Sequence, residues 1–405
     1  MTYNGQLYKK EAMLPKKEAA KPTKGKPRLA YNSNRLSSKW DLQDTARCLL
    51  PDTRIGSCNR TVEFHKDWVD VRVHGDRAWF NGTIRCGSVW ACPVCSEKIS
   101  RERGDELQVG QKLAAGMGWG IYLSTFTTKH SHDNPLPLNI WLDLFAEAQR
   151  RLKSTRAYRD LMASISHKGD VRSLEVTHGK AGWHPHVHTI VFTAAPLEPA
   201  AIRRWRRQLF CLWFKACQRV GLELPAYRGA DQSYVGVDIQ GGQHAARYIT
   251  KFANELTGGR FKSGRAKGRS PWQLLQAAHD GDTRAGSLFT DYAQAFKGKR
   301  QLFWSKGLRA KLGVGREMTD QEVLDLQPVE TKTVATIEVR DWALVCAAKL
   351  RGRVLELAVE DPGEIERAVA RMRAHADSEG WTDEVMKQKG WLKRIRWDSM
   401  RGYWT

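Results

Sequence analysis

The helical period is clearest over Pro137 to Tyr158, where Ile140, Leu144, Ala148 and Leu152 fall on one stripe and predict an amphipathic helix. A second long helix is predicted from Pro199 to about Gly221, carrying Trp205, Leu209, Leu212, Trp213 and Ala216. Others are expected over 97–115 and from Gln243 to Leu256. Strand patterns fall at Gly120–Thr127, Val171–His178, Trp183–Thr193 and Tyr234–Ile239, with shorter alternation over Val69–His74. From residue 116 the order is β-α-β-β-α-β plus one helix. That is the order of a split βαβ, ferredoxin-like sheet, so the fold class is α+β.

The flanks read differently. Residues 1–38 mix Lys9, Lys10, Lys16, Lys17, Lys21, Lys24, Lys26 and Arg28 with Pro and Ala, without apolar periodicity, and predict a disordered basic tail. Residues 39–115 are expected to form a cysteine-rich module and residues 116–312 the central domain, including a basic loop over 258–270. Residues 313–405 are expected to form a small helical C-terminal appendage, with a good helix start at Asp361-Pro362-Gly363-Glu364.

One predicted strand carries unusual chemistry. His184, His186 and His188 recur at period two, so all project from one face of the sheet. Histidine where Val or Ile would pack well gives up hydrophobic burial. Gly179-Lys180-Ala181-Gly182 is a tight-turn sequence, and a turn symmetric about its centre sets Glu175 opposite His186 and Ser173 opposite His188. Two imidazoles and a carboxylate, with open positions left over, suit Mg²⁺ or Mn²⁺ in phosphoryl chemistry. His184 lies next to the turn and Pro185, and is expected to orient the site rather than ligate.

Charge suggests the substrate. The 405 residues hold 66 Lys+Arg against 44 Asp+Glu, a net charge of +22, and 16 Trp. Such an excess points to a polyanion, above all nucleic acid, and suits a small-molecule metallohydrolase poorly. No stretch reaches the ~20 apolar residues of a membrane span, and the N-terminus lacks a secretory h-region, so a cytoplasmic protein is expected. The helix at 199–221 presents Arg203, Arg204, Arg206, Arg207, Lys215 and Arg219, which with Trp90 could hold single-stranded DNA. A charged, solvated face is the alternative for that helix.

Eight cysteines in a chain of this length are too few for a disulfide framework. Cys92-Pro-Val-Cys95 has the spacing of a zinc knuckle, Cys86 adds a third thiolate, and Cys58 is the natural fourth, with His65 or His74 as substitutes. Four such ligands suit structural Zn²⁺. Cys48, Cys211, Cys217 and Cys346 are expected in the core.

Phosphoryl chemistry needs a nucleophile. In the helix after the fourth strand, His244, Tyr248 and Lys251 stack along one face with Arg247 beside them. A tyrosine among cations is suited to attack a phosphodiester, since positive neighbours favour phenolate. An interfacial tyrosine packing its ring on the core is the alternative.

Together, Glu175-Val-Thr, Gly182-Trp-His-Pro-His-Val-His188 and Ala246-Arg-Tyr248-Ile-Thr-Lys251 resemble the rolling-circle replication initiators of bacterial plasmids, the one-tyrosine Rep family of the HUH endonucleases. Arg85–Cys95 is similar to that family's cysteine segment and Gly298–Arg309 to its closing segment, so the resemblance spans about residues 58–310. It implies that a metal held by His186, His188 and Glu175 polarises the scissile phosphate of single-stranded origin DNA. Tyr248 would attack, leaving a 5′-phosphotyrosyl link and a 3′-OH primer, with Lys251 steadying the phosphate or the tyrosine. Origin DNA and the host helicase and replication proteins are the implied partners, in a bacterial cytoplasm. Some members carry a glutamate one turn before the tyrosine, to activate water in the terminating cut. Here that position is His244, which can also serve as a base. Rival readings are a single-strand transposase or relaxase, and a non-enzymatic zinc-dependent DNA-binding regulator.

Overall fold

The computed structural model describes residues 33–129, 136–223, 227–228, 233–234, 236–241 and 268–388. The protein is a mixed α+β molecule with antiparallel sheets. Its elements begin with helix α1 (Ser33–Leu49), strands β1 (Trp68–His74) and β2 (Arg77–Asn81), and helix α2 (Pro93–Gly116). Strand β3 (Gly120–Thr127), helices α3 (Leu138–Ser154) and α4 (Arg156–Ser164), strands β4 (His167–Gly179) and β5 (Gly182–Thr193) and helix α5 (Pro199–Arg219) follow. The remaining strands are β6 (Tyr227–Arg228), β7 (Ser233–Tyr234), β8 (Val237–Gly241), β9 (Gly268–Arg269), β10 (Leu302–Trp304) and β11 (Lys332–Glu338).

The central sheet runs in the order β10-β4-β5-β3-β8, with β9 pairing β4. Its faces follow from strand parity. Tyr122, Phe126, Val187, Val191, Val237 and Ile239 point to the side covered by α3 and α5 and share a core with Phe145, Leu152, Trp205 and Trp213. The Trp213 indole, wholly buried, donates to the Thr127 carbonyl at 2.9 Å and so ties α5 to the end of β3. Leu123, Val171, Ile190 and Phe192 point to the other side, where they meet Leu107 and Ala114 of α2, Leu302 and Trp304 of β10, and Leu308 and Leu312. α2 approaches closely at Gly110: a Cβ there would lie 2.9 Å from Trp304 Cη2.

Several expected boundaries shift. The helix predicted over 137–158 breaks at Thr155, whose extended backbone caps α4 through its hydroxyl. The fourth strand lies at Val237–Gly241, starting three residues later than expected and ending two later. The helix expected over 97–115 starts at Pro93, where proline suits the first turn. The end of the expected tail is helical, because α1 begins at Ser33; residues 1–32 lie outside the described residues. The helix expected at Gln243–Leu256 and most of the basic loop also lie outside them, whereas Gly268 and Arg269 pair with Gly179 and His178.

The stretch 313–405 is not a separate appendage in its described part. β11 pairs with β1, Trp68 opposite Glu338, and completes a three-stranded sheet β11-β1-β2. Trp40, Val62, Val69, Val71 and Phe80 share one core with Ile337, Trp342, Leu355, Ile365 and Met386. The physical reason is that β1 and β2 alone form a hairpin with one apolar face, which needs a third strand and a helical cover for stability. Arg351 fastens this layer. Buried to 1% exposure, it bonds Gln43 Oε1 at 2.8 Å and Asp44 Oδ1 at 2.6 Å, with its guanidinium 4.9 Å from the Trp40 ring centre.

A buried ion cluster closes the far end of β4. The Asp170 carboxylate, with the residue 6% exposed, lies 3.5 Å from Lys153 Nζ, 3.5 Å from His167 Nε2 and 3.8 Å from Arg172 Nε. Burial raises its pKa, but the adjoining His167 imidazole and the charges of Lys153 and Arg172 outweigh burial and hold it at about 2. A carboxylate depressed in the folded state stabilises above its unfolded pKa, and the benefit is lost as pH falls from about 4 to about 2. The shift corresponds to about 2 kcal/mol. Asp170→Asn is therefore expected to flatten the fall of stability between pH 4 and pH 2, and to cost about 2 kcal/mol at pH 7 by leaving the half-buried Lys153 and Arg172 without their carboxylate. Denaturant titration at several pH values checks both; an unaltered acid limb would refute the assignment.

Candidate metal centres

The β4–β5 hairpin turns between Gly179 and Gly182, the latter at φ +83°, a left-handed conformation that glycine adopts without strain. Its register sets Glu175 opposite His186 and Ser173 opposite His188. The three side chains meet: Glu175 Oε2 is 3.3 Å from His186 Nε2 and 3.6 Å from His188 Nε2. Donor atoms of all three lie within 4.8 Å of one another. Neighbouring ligands of an octahedral ion with bonds of about 2.1 Å stand about 3 Å apart, so the set fits one face of such an ion.

Hydrogen bonds fix which nitrogen faces the carboxylate. His186 Nδ1 is 3.2 Å from the His184 carbonyl, and because a carbonyl only accepts, that nitrogen carries the proton. A neutral His186 then turns the Nε2 lone pair toward Glu175, an arrangement that repels unless a cation or a proton lies between. His188 Nδ1 is held by the Thr125 hydroxyl at 2.9 Å, and His184 Nε2 by the Thr127 hydroxyl at 2.6 Å. These are the orienting partners that metal-binding imidazoles use. Thr125 and Thr127 were missed in the sequence. They pair with His188 and His186 across β3–β5, a register no local pattern reveals.

The second centre lies at the start of α2. Cys58, Cys86, Cys92 and Cys95 are all buried and converge. Cys58 Sγ is 3.4 Å from Cys95 Sγ and 3.7 Å from Cys92 Sγ, and Cys86 Sγ is 3.7 Å from Cys95 Sγ. A tetrahedron with Zn–S bonds of about 2.3 Å has edges of about 3.8 Å, so four thiolates here would surround one zinc ion. Gln43 donates to Cys92 Sγ at 3.2 Å, Asn59 to Cys58 Sγ at 3.4 Å and the Ser88 amide to Cys86 Sγ at 3.4 Å. Burial raises the Cys92 thiol, but bonds from the other three thiols outweigh it and hold the group well below the usual cysteine range. His65 and His74 are outside this group; His74 Nδ1 instead faces the Glu330 carbonyl at 2.8 Å. Gln43 and Asn59 carried no signal in the sequence.

Other expected site residues divide. Arg203, Arg204 and Arg207 are exposed on α5, whereas Arg206 is half-buried and pairs with Asp238 at 3.3 Å. Trp90 is a packing residue: its indole donates to the Lys299 carbonyl at 2.6 Å and its ring meets Phe296 edge-on. Cys217 and Cys346 are buried as expected, but Cys48 and Cys211 are exposed, on the outer sides of their helices. His244, Arg247, Tyr248 and Lys251 lie outside the described residues.

Fold and sites thus define a mixed α+β protein with two candidate metal centres, one of thiolates and one of imidazole and carboxylate. The chain is similar to a protein named Protein rep from Streptomyces lividans, 27% identical over 314 residues, covering 60% of this chain and 67% of that one. It is also similar to a Neomycin resistance protein from Streptomyces cyanogenus, 29% identical over 140 residues, 29% of this chain and 32% of that protein, so it spans about a third of that relative. No family model and no solved structure matches the chain. Among the described residues no helix is long and apolar enough to cross a membrane.

Proposed function

We propose that the chain is a rolling-circle plasmid replication initiator, a site-specific nickase and strand transferase of the HUH endonuclease class. The observation that carries this reading is Glu175 set against the Nε2 atoms of His186 and His188 at 3.3 and 3.6 Å. The strand order β4-β5-β3-β8, antiparallel throughout, supports it, since a split βαβ sheet places its strands in that order. Similarity to a protein named Protein rep supports the replication role, and the net charge of +22 supports a DNA substrate.

In this reading His186, His188 and Glu175 hold Mg²⁺ or Mn²⁺, which when bound supplies Lewis-acid polarisation of the scissile phosphate. The Tyr248 phenolate oxygen attacks phosphorus, the bond from phosphorus to the 3′ oxygen breaks, and that oxygen takes a proton from solvent. A 5′-phosphotyrosine and a 3′-hydroxyl primer result. The phosphodiester energy is kept in the new bond, so rejoining by attack of a 3′-hydroxyl needs no nucleotide. Lys251 and Arg247 offset charge on the phosphorane, and His244 takes the proton in the terminating cut. Arg203, Arg204 and Arg207 hold the strand. Cys58, Cys86, Cys92 and Cys95 bind structural Zn²⁺.

Covalent capture tests the reaction. Protein incubated with single-stranded origin DNA and Mn²⁺ is expected to give a DNA adduct stable on a denaturing gel, and Tyr248→Phe is expected to give none. A non-enzymatic regulator would give no adduct with either protein, which would end this reading.

A further inference from the structure

A cavity of about 300 Å³ opens between α3, α4 and the start of β4, lined by Lys153, Tyr158, Arg159, Met162, His167 and Asp170. His167 and Glu175 stand at opposite ends of β4, roughly 25 Å apart along the strand, so the cavity is separate from the histidine centre. Tyr158 and Met162, one turn apart on α4, give it an apolar wall.

Cations around this cavity outnumber the acids. Asp170 is the carboxylate lining it, with 8% of its side chain exposed. Lys153 stands 3.5 Å from that carboxylate and Arg172 3.8 Å, both too far for a strong charge-assisted bond. Arg159 is exposed and makes no ion pair among the described residues. Three positive charges thus share one negative charge. The other acids of α3 and α4 leave that balance unchanged, since Asp143 pairs with Lys299, Glu147 with Arg150 and Arg151, and Asp160 with Arg156. Burial lowers the Lys153 pKa and attraction to Asp170 does not offset it, as expected of a cation short of negative charge. His167 Nε2 and Arg172 Nε are shut off from solvent yet make no hydrogen bond among the described residues. Buried polar atoms without a match are uncommon and mark a place for a ligand or water.

An excess of two positive charges matches a dianion. A phosphomonoester carries nearly two negative charges at neutral pH and three acceptor oxygens, whereas a single carboxylate would balance half of the excess. Burial pushes the Tyr158 phenol up, so it stays protonated and able to donate. The volume lies at the lower end for ligand pockets, suited to one nucleotide rather than to a strand.

We propose that this cavity binds a small phosphomonoester of nucleotide size, its phosphate held by Lys153 and Arg159 and its apolar part lying on Tyr158 and Met162. The proposal does not rest on the nicking reading, which uses none of these residues.

Calorimetric titration of the full chain with deoxyadenosine monophosphate, near neutral pH in phosphate-free buffer, tests it. One nucleotide per chain is expected to bind, with deoxyadenosine and inorganic phosphate each about tenfold weaker or more, for want of the charge and of the apolar part. Arg159→Ala is expected to weaken binding about tenfold without changing the melting temperature, and Arg159→Lys to restore part of it. Asp170→Asn is expected to act in the opposite sense, tightening binding about tenfold because the cations lose their own carboxylate, and the nucleotide should recover part of the stability that this variant loses. Glu175→Gln and Tyr248→Phe should bind the nucleotide as the unaltered chain does, which separates this site from the nicking centre. No saturable binding up to about 5 mM would overturn the inference. So would deoxyadenosine or inorganic phosphate binding as tightly as the nucleotide, affinity unchanged in Arg159→Ala, or no gain in Asp170→Asn.

Discussion

Replacing His186 or His188 by alanine is expected to lower origin nicking by about a thousandfold or more, while binding of origin DNA changes by less than about threefold. The size follows from the site. Each imidazole offers one of three donors to a divalent ion, and charge stabilisation by such an ion is worth several kcal/mol, at tenfold in rate per ~1.4 kcal/mol. Both side chains are about 15% exposed and lie midway along a hairpin held by twelve residue pairings, so the fold should survive. Glu175→Gln should behave similarly, because an amide keeps the shape but not the charge. Single-turnover nicking with parallel binding isotherms checks this, and near-wild-type rates in both histidine variants would remove them from the metal site.

Removing metal from the cysteine centre is expected to have the largest effect on stability. Cys58, Cys92 and Cys95 are at most 1% exposed and Cys86 is 4% exposed, in a core continuous with Leu42, Ile55 and Ile99. Without a cation, four buried thiols lose the interaction that gathers them, and structural zinc sites contribute folding energy directly. Cys58→Ser, or chelation verified by metal analysis, should lower the melting temperature by on the order of 10 °C or more. Damage should spread to residues 332–386. Gln43, which donates to Cys92 Sγ, also accepts from Arg351, and Arg47 bonds the Cys58 carbonyl at 2.5 Å. Limited proteolysis should then cut the C-terminal layer early. An unchanged melting temperature after proven metal loss would show that the thiols pack without needing an ion.

Much of the histidine centre could be read from the chain because its information is local. Period two sets three histidines on one face, and a four-residue glycine turn fixes the register that brings Glu175 to His186. The cysteine cluster was legible for a similar reason: CxxC spacing is local, and few cysteines compete to complete it. What the sequence hid is long-range. The pairing of Trp68 with Glu338 joins the two ends of the chain, and β1 reads as a strand without naming its partner. Trp90 looked available for DNA because indoles serve both cores and bases; only the position of the Lys299 carbonyl decides. Cys48 and Cys211 looked buried because helical surroundings do not say which side of a helix faces water. The helix break at Thr155 was overlooked because apolar spacing continues through it, while the cap that resets the backbone is a single hydroxyl.

The paired imidazoles and carboxylate can be interrogated without any DNA. Manganese titrated into zinc-loaded protein and followed by electron paramagnetic resonance should show one ion per chain with nitrogen couplings from two imidazoles. Those couplings should fall to one imidazole in His186→Ala or His188→Ala, and affinity should drop sharply in Glu175→Gln. Manganese bound equally well, with unaltered nitrogen couplings, in all three variants would contradict the account at its root.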